Sequence, residues 1–222
     1  MPLSDNDKPF LDALRLQASA LKQAFDSIGA ETFPTLEGIE VTKAVLHRMR
    51  TYSNAQSEIK ELLNKRYATP AADFFVETVL FYLMLYCKSI SDELEVHSER
   101  QIKPKRGQMR PDISVWRNNE VLSIVECKTQ LGWNRGNWER DFLDRERRLR
   151  AQFPNAKAFL LVMTEGNWGG FSTSDTKVGK QYFALLRRGV SPDALSEENF
   201  QHSILNPIEG LFSEIVRGHN GV

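Results

Sequence analysis

Residues Arg110 to Gln130 read RPDISVWRNNEVLSIVECKTQ. Two short apolar runs flank a tight polar turn, the pattern of a strand pair. The first strand opens on Asp112 and the second closes on Glu126-Cys127-Lys128. Side chains alternate along a strand, so Glu126 and Lys128 share one face while Cys127 points into the core. If Asn118-Asn119-Glu120 forms a three-residue loop, Arg117 faces Val121 and Asp112 lies opposite Glu126. A two- or four-residue loop reverses the parity, and the two carboxylates then part unless a bulge intervenes. Both faces are apolar. Ile113, Val115, Val121, Val125 and Cys127 are expected on one, and Trp116, Leu122 and Ile124 on the other. That is the signature of a central pair covered by helices.

Two carboxylates and a lysine at adjacent strand ends suit the hydrolysis of phosphodiesters. The reaction needs a cation to neutralise the phosphoryl oxygens, an activated water and help for the leaving oxygen. Magnesium is held by one or two carboxylates and keeps several waters. Asp112 and Glu126 would supply the carboxylates, with the Cys127 backbone carbonyl as a further ligand. Lys128 would position or help deprotonate the attacking water and stabilise developing charge. The letters Glu-x-Lys alone carry little. Glu58-Ile59-Lys60 repeats them in a polar helical stretch, where i and i+2 do not share a face, and Asp175-Thr176-Lys177 falls in a loop. The strand setting carries the inference.

The rest of the chain bounds the reading. At 222 residues it fits one domain with an appended helical piece. Lys plus Arg and Asp plus Glu are 29 each, so the net charge is zero. Neutrality argues against a protein that coats nucleic acid and leaves room for a local basic cleft. The two cysteines, Cys87 and Cys127, sit in apolar segments and build neither a disulfide framework nor a zinc site. The polar N-terminus is no secretory signal, and no apolar run reaches membrane-spanning length. A cytoplasmic location is expected.

Helical spacing is read over residues 7–29 and again from Thr42 to Tyr67. These N-terminal helices carry no recognisable chemistry and are expected to cover the core or to associate. Thr69-Pro70 is read as a helix start, with Thr as cap. The helix after it is apolar on nearly all sides and belongs at the centre. Within it Glu77 is either an ordinary ion-pairing or solvent-facing residue or a further carboxylate aimed at a metal. A strand is read over Leu94–Glu99. Arg100, Lys103, Lys105, Arg106 and Arg110 then crowd a loop that runs into Asp112, placed to clamp a phosphate backbone. After Lys128 a loop bearing Trp133 and Arg135 could reach bases or sugars. A helix from Trp138 to Phe153 follows, its many arginines mostly paired with acids on a solvated face. Lys157–Met163 is read as a strand parallel to a neighbour. Glu165–Ser174 is read as a loop, Val178–Leu186 as a helix, and a further helix as lying within Asn199–Val216 around Pro207. The terminal RGHNGV is expected to fray.

Pro111-Asp112, a hairpin turn and Glu126-Cys127-Lys128 together resemble the signature of the PD-(D/E)XK nuclease superfamily, the restriction-endonuclease-like fold. The resemblance covers residues 70–163, under half the chain. It implies an α/β core of helix, three strands, helix and strand, a mixed central sheet flanked by helices, with helical additions at both ends. On that basis residues 1–68 would be a helical segment packed on a nuclease core at 69–164, with 165–222 completing the same domain. Asp112 and Glu126 would bind Mg2+, with Mn2+ able to substitute, and Lys128 would be the catalytic lysine. Glu77 occupies the helix position where many members carry an acid. The implied activity is an endonuclease cutting DNA in restriction or defence. A repair or recombination nuclease is the nearest alternative. A DNA-binding or scaffold protein without cleavage is an alternative of another class, and ordinary ion pairs at strand ends are a third. Restriction-type enzymes usually cut as homodimers, and the resemblance does not say which surface would pair.

Overall fold

The computed structural model describes residues 3–30, 33–103, 108–132, 135–166 and 176–217; for 3–4, 30 and 135–138 it describes the backbone alone. Its elements in chain order are α1 (Leu3–Asn6), α2 (Lys8–Ala30), α3 (Glu40–Leu62), α4 (Ala72–Ile90), β1 (Leu94–Ser98), β2 (Ile113–Arg117) and β3 (Glu120–Lys128). Then come α5 (Arg135–Arg150), β4 (Lys157–Thr164), β5 (Tyr182–Leu186), a 3-10 turn at Pro192–Ala194, α6 (Phe200–Ser203) and α7 (Ile208–Val216). The protein is α/β, with a five-stranded mixed sheet flanked by helices and ordered β1-β2-β3-β4-β5. β1–β2 and β2–β3 are antiparallel; β3–β4 and β4–β5 are parallel.

The chain divides into two compact units, residues 1–33 and 34–222. Helix α3 belongs to the larger unit. Val41, Val45, Leu46 and Met49 of α3 are buried. The Arg48 guanidinium lies 3.9 Å from the Phe81 ring centroid of α4, and Tyr52 stacks on Phe74 at 4.5 Å.

The tie between α3 and α7 is polar. The first N–H groups of a helix lack internal partners. Glu209, in the first turn of α7, takes the Thr42 amide on Oε1 at 3.0 Å and the Thr42 hydroxyl on Oε2 at 2.5 Å. The Thr42 hydroxyl oxygen in turn accepts the Ile208 amide at 2.8 Å. One threonine and one glutamate thus cap two helices against each other.

Two sequence expectations fail locally. Thr69 does not cap α4: the helix begins at Ala72, its flanking Ala71 makes no side-chain cap, and the Thr69 hydroxyl accepts from Lys65 Nζ at 3.0 Å. Residues 182–186, read as part of a helix over Val178–Leu186, form β5. All five residues are buried, which a short apolar run achieves equally in either conformation. Pairing decides it. β5 completes the open edge of β4, and its own far side is covered by Leu205, whose amide donates to Leu185 O at 2.8 Å, and Asn206, whose amide donates to Ala184 O at 2.9 Å. Two further readings hold. β4 is parallel to β3, and Pro207 separates α6 from α7. Apart from Glu165 and Gly166, the loop through Ser174 lies outside the described residues, as does the tail after Arg217. Among the described residues no helix is long and apolar enough to cross a membrane.

Candidate active site

The β2–β3 turn contains two residues, not three. Arg117 pairs directly with Glu120, and Asn118 and Asn119 take positive φ values of 50° and 66°. Two successive left-handed residues define the tight hairpin turn whose twist matches that of its strands, and Asn tolerates that region. This turn alone would set Asp112 and Glu126 on opposite faces. A bulge restores the parity. Trp116 pairs with Val121 but Val115 pairs with Ser123, leaving Leu122 as the extra residue. The register then runs on to Ile113 opposite Val125, and Asp112 meets the Glu126 end of β3. The bulge also moves Val121 to the face opposite the one expected. It packs with Trp116, Ile124, Phe142 and Leu149 in the core beneath α5.

Asp112 is held from both sides. Its backbone carbonyl accepts the Ser98 hydroxyl at 2.9 Å, tying it to β1. Its carboxylate Oδ2 accepts the Cys127 amide at 2.8 Å and Lys128 Nζ at 3.1 Å. Oδ1 accepts no hydrogen bond among the described residues. In an extended strand a residue's N–H and C=O leave on the same side. The Cys127 carbonyl therefore points, like its amide, past the start of β2 beside Asp112.

Glu126 is 4% exposed. Lys128 Nζ lies 3.7 Å from its Oε2, and the Arg145 guanidinium of α5 binds its Oε1. Burial raises the pKa of Glu126 first, and the Asp112 charge raises it further; Arg145 and Lys128 pull the other way without reversing the shift. A carboxylate that remains hard to ionise beside two cations has room for more positive charge. Burial also pushes the Cys127 thiol well above its usual value and the Cys87 thiol to about 12. Both cysteines are inert core residues, as expected.

A cavity of about 260 Å³ opens beside this group. Glu126, Lys128, Gln130, Asp141, Phe142 and Arg145 are among its lining residues. Three of these were not singled out from the sequence, yet their spacing marks them. Arg145 lies three residues after Phe142 and four before Leu149, on the inward stripe of α5. Among the described residues the helix's other arginines pair with acids of the same helix: Arg147 with Asp144 at 2.5 Å, Arg148 with Asp144 at 3.9 Å, Arg150 with Glu146 at 2.9 Å and Arg140 with Asp141 at 3.5 Å. Gln130 continues the every-second-residue series Glu126, Lys128. Asp141 precedes Phe142 at the rim.

Glu77 is exposed on α4 and so requires no buried partner. No hydrogen bond or ion pair among the described residues joins it to Asp112, Glu126 or Lys128. Of the basic loop, Arg100 is occupied by the fold. It contacts His97 Nε2 at 2.7 Å and Glu95 Oε2 at 3.1 Å, and lies 4.1 Å from the Trp116 ring centroid. Lys103 is exposed, 5.9 Å from the Phe153 ring centroid, and Arg110 is exposed without a described partner. Ile102 donates to Met109 O at 3.2 Å. Lys105, Arg106 and Trp133 lie outside the described residues, and of Arg135 only the backbone, at the start of α5, is described. Among the described residues no group of three or more His, Cys, Asp or Glu stands ready to hold a metal by itself. A magnesium site would rest on two carboxylates, a carbonyl and water. No protein-family model matches the sequence, and no curated protein matches it.

Proposed function

We propose that this protein is a Mg2+-dependent endonuclease of the restriction-endonuclease-like fold that hydrolyses DNA phosphodiester bonds. One observation carries the reading: a bulge at Leu122 corrects a two-residue turn so that Asp112 and Glu126 converge beside Lys128. A strand pair that only needed a core would have no use for that correction. The order α4, β1, β2, β3, α5, β4 supports the fold assignment.

The donor set fits a hard divalent cation. Asp112 and Glu126 supply carboxylate oxygens, and the Cys127 carbonyl leaves the strand beside them. When bound, magnesium would polarise the scissile phosphate and lower the pKa of an attending water. Lys128 would hold that water and the developing negative charge, with Asp112 fixing its ammonium at 3.1 Å. Arg145 would exchange Glu126 for a phosphate oxygen, for which its planar fork is suited. Lys103 and Arg110 would contact the phosphate backbone, with Lys105, Arg106, Trp133 and Arg135 as further candidates. A restriction or defence role is the leading context, and repair or recombination chemistry on the same core is the next.

The ion pairs of Glu126 with Arg145 and of Asp112 with Lys128 favour a second reading, a structural charge cluster without catalysis. One experiment separates the two. Plasmid, linear and single-stranded DNA and RNA are incubated with the protein in Mg2+, Mn2+ or EDTA, alongside Lys128→Ala and Asp112→Asn. Metal-dependent cleavage of DNA lost in both variants is expected. Cleavage in EDTA, or variants as active as the wild type, would refute the mechanism. Binding without cleavage would favour the second reading.

A further inference from the structure

Helix α2 has an apolar seam. Leu11, Leu14, Ala18, Leu21, Phe25 and Ile28 follow one another at intervals of three, four, three, four and three residues. That is an unbroken a/d heptad pattern across the helix, which at 1.5 Å per residue is about 35 Å long. The alternation fits two helices wound around each other better than a helix lying on a sheet, whose apolar stripe is wider. Leu14 is 52% exposed and Leu21 47% exposed. An amphipathic helix gains most of its stability by burying such a face.

The flanking charges select the partner and its direction. With Leu11 at a, the e positions are Lys8, Arg15, Lys22 and Gly29, the first three basic, and the g positions are Phe10, Gln17 and Ala24, all uncharged. An antiparallel pair of identical helices sets e against e, so lysine and arginine would face their own kind along the seam. A parallel, in-register pair sets g against the e position five residues on in the other helix. Phe10 then meets Arg15 of the second copy and Gln17 meets Lys22, a cation–ring contact and a hydrogen bond. Asp12 pairs with Arg15 at 3.1 Å and Asp26 with Lys22 within the helix, which keeps the acids off the seam.

We propose that α2 is the homodimerisation element, pairing with α2 of a second copy of this chain as a parallel, in-register, two-stranded coiled coil. Sedimentation equilibrium of the full chain then gives twice the 25.4 kDa chain mass. Leu14→Asp with Leu21→Asp returns the single-chain mass while leaving the thermal unfolding of residues 34–222 in place. Leu16→Asp, at the outward f position, serves as the control and leaves the dimer intact. Residue 21 of one helix faces residue 21 of the other only in the parallel pair, so Leu21→Cys gives a covalent dimer on oxidation. Cys87 and Cys127 are buried and do not compete. A chain monomeric at several hundred micromolar, or a dimer that survives the double aspartate variant, overturns the proposal. So does a dimer disrupted equally by Leu16→Asp. A Leu21→Cys dimer that fails to cross-link, while a mixture of Ala18→Cys and Leu21→Cys chains does so, shows the antiparallel arrangement and overturns it as well.

Discussion

Two glutamates are buried among the described residues, and they are buried differently. Glu209 is 2% exposed and Glu126 is 4% exposed. Glu209 is surrounded by neutral donors that had no other partner: the Thr42 amide and the Thr42 hydroxyl, at the start of a helix. Helix N-termini favour a negative charge, so its setting is complementary as it stands. Glu126 faces one carboxylate, one ammonium and one guanidinium, the last two reaching it from different elements. Its pKa is raised despite both cations, because burial and Asp112 outweigh them. A satisfied carboxylate holds a fold together. One kept in a frustrated setting is the kind that an incoming ligand relieves, and such groups cluster at functional sites.

The sharpest way to break this contrast is at the Glu126 cluster itself. Asp112→Asn and Lys128→Ala should each lower Mg2+-dependent cleavage by at least about 10³-fold, or ~4 kcal/mol of transition-state stabilisation. Supercoiled-plasmid nicking measures it. Neither substitution should lower the melting temperature appreciably, since Lys128 is half exposed and its pair with Asp112 is partly solvated. Loss of activity together with collapse of the fold would assign the cluster to structure and erase the distinction.

Glu209→Ala should do the reverse. It strands the buried Thr42 amide and removes the acceptor for the Thr42 hydroxyl, at a cost of about 2–4 kcal/mol. Denaturant unfolding measures the loss. Glu209→Gln retains an acceptor for the amide and should recover part of it. At a temperature where the variant is folded, cleavage per molecule should match the wild type.

Glu126→Gln tests the frustration directly, with a smaller effect and a defined sign. A carboxyl with a raised folded-state pKa binds more protons in the native state, so ionising it weakens the fold as pH rises. Below its ordinary value of 4.5 the group is protonated, folded or unfolded, and glutamine imitates it. In metal-free buffer the variant should therefore match the wild type near pH 4. It should pull ahead in melting temperature from above 4.5 upward through the raised pKa. Added Mg2+ at pH 8 should close the gap by stabilising only the wild type. A wild type more stable than Glu126→Gln at pH 8 without metal would show that Arg145 and Lys128 already satisfy the carboxylate.

Much of this was readable from sequence, and the failures have physical causes. The β2–β3 pair announced itself because two apolar runs, a tight polar turn and Glu-x-Lys coincide, whereas Glu58-Ile59-Lys60 sits in α3, where the same letters diverge. The register condition was legible, but its solution was not. A bulge leaves no mark in alternation beyond one misplaced residue, here Val121. Tyr182–Leu186 was misread because five apolar residues lack a decisive period, and the open edge of β4 is not a local property. The Glu209 clamp joins residues 167 positions apart, and no local pattern predicts such a pair. Arg145 was visible in principle: within α5 it falls in step with Phe142 and Leu149.

The smallest expected effect lies at the turn that feeds the bulge. Asn119 holds φ at 66°, a region that glycine enters freely and alanine resists by about 1 kcal/mol. Asn119→Gly should leave stability unchanged or raise it by a few tenths of a kcal/mol, and Asn119→Ala should lower it by ~1 kcal/mol. Neither should change cleavage, because the position of Asp112 against Glu126 is fixed downstream, where Val115 meets Ser123 beyond Leu122. Deleting Leu122 is the counterpart. It leaves the turn intact and removes the parity correction, so it should abolish metal-dependent cleavage even in chains that retain native helix and strand content by circular dichroism. Should Asn119→Ala impair cleavage as severely as stability, the turn and not the bulge would be setting the register. Glu126 would then owe its place to the same local interactions that hold the rest of the hairpin.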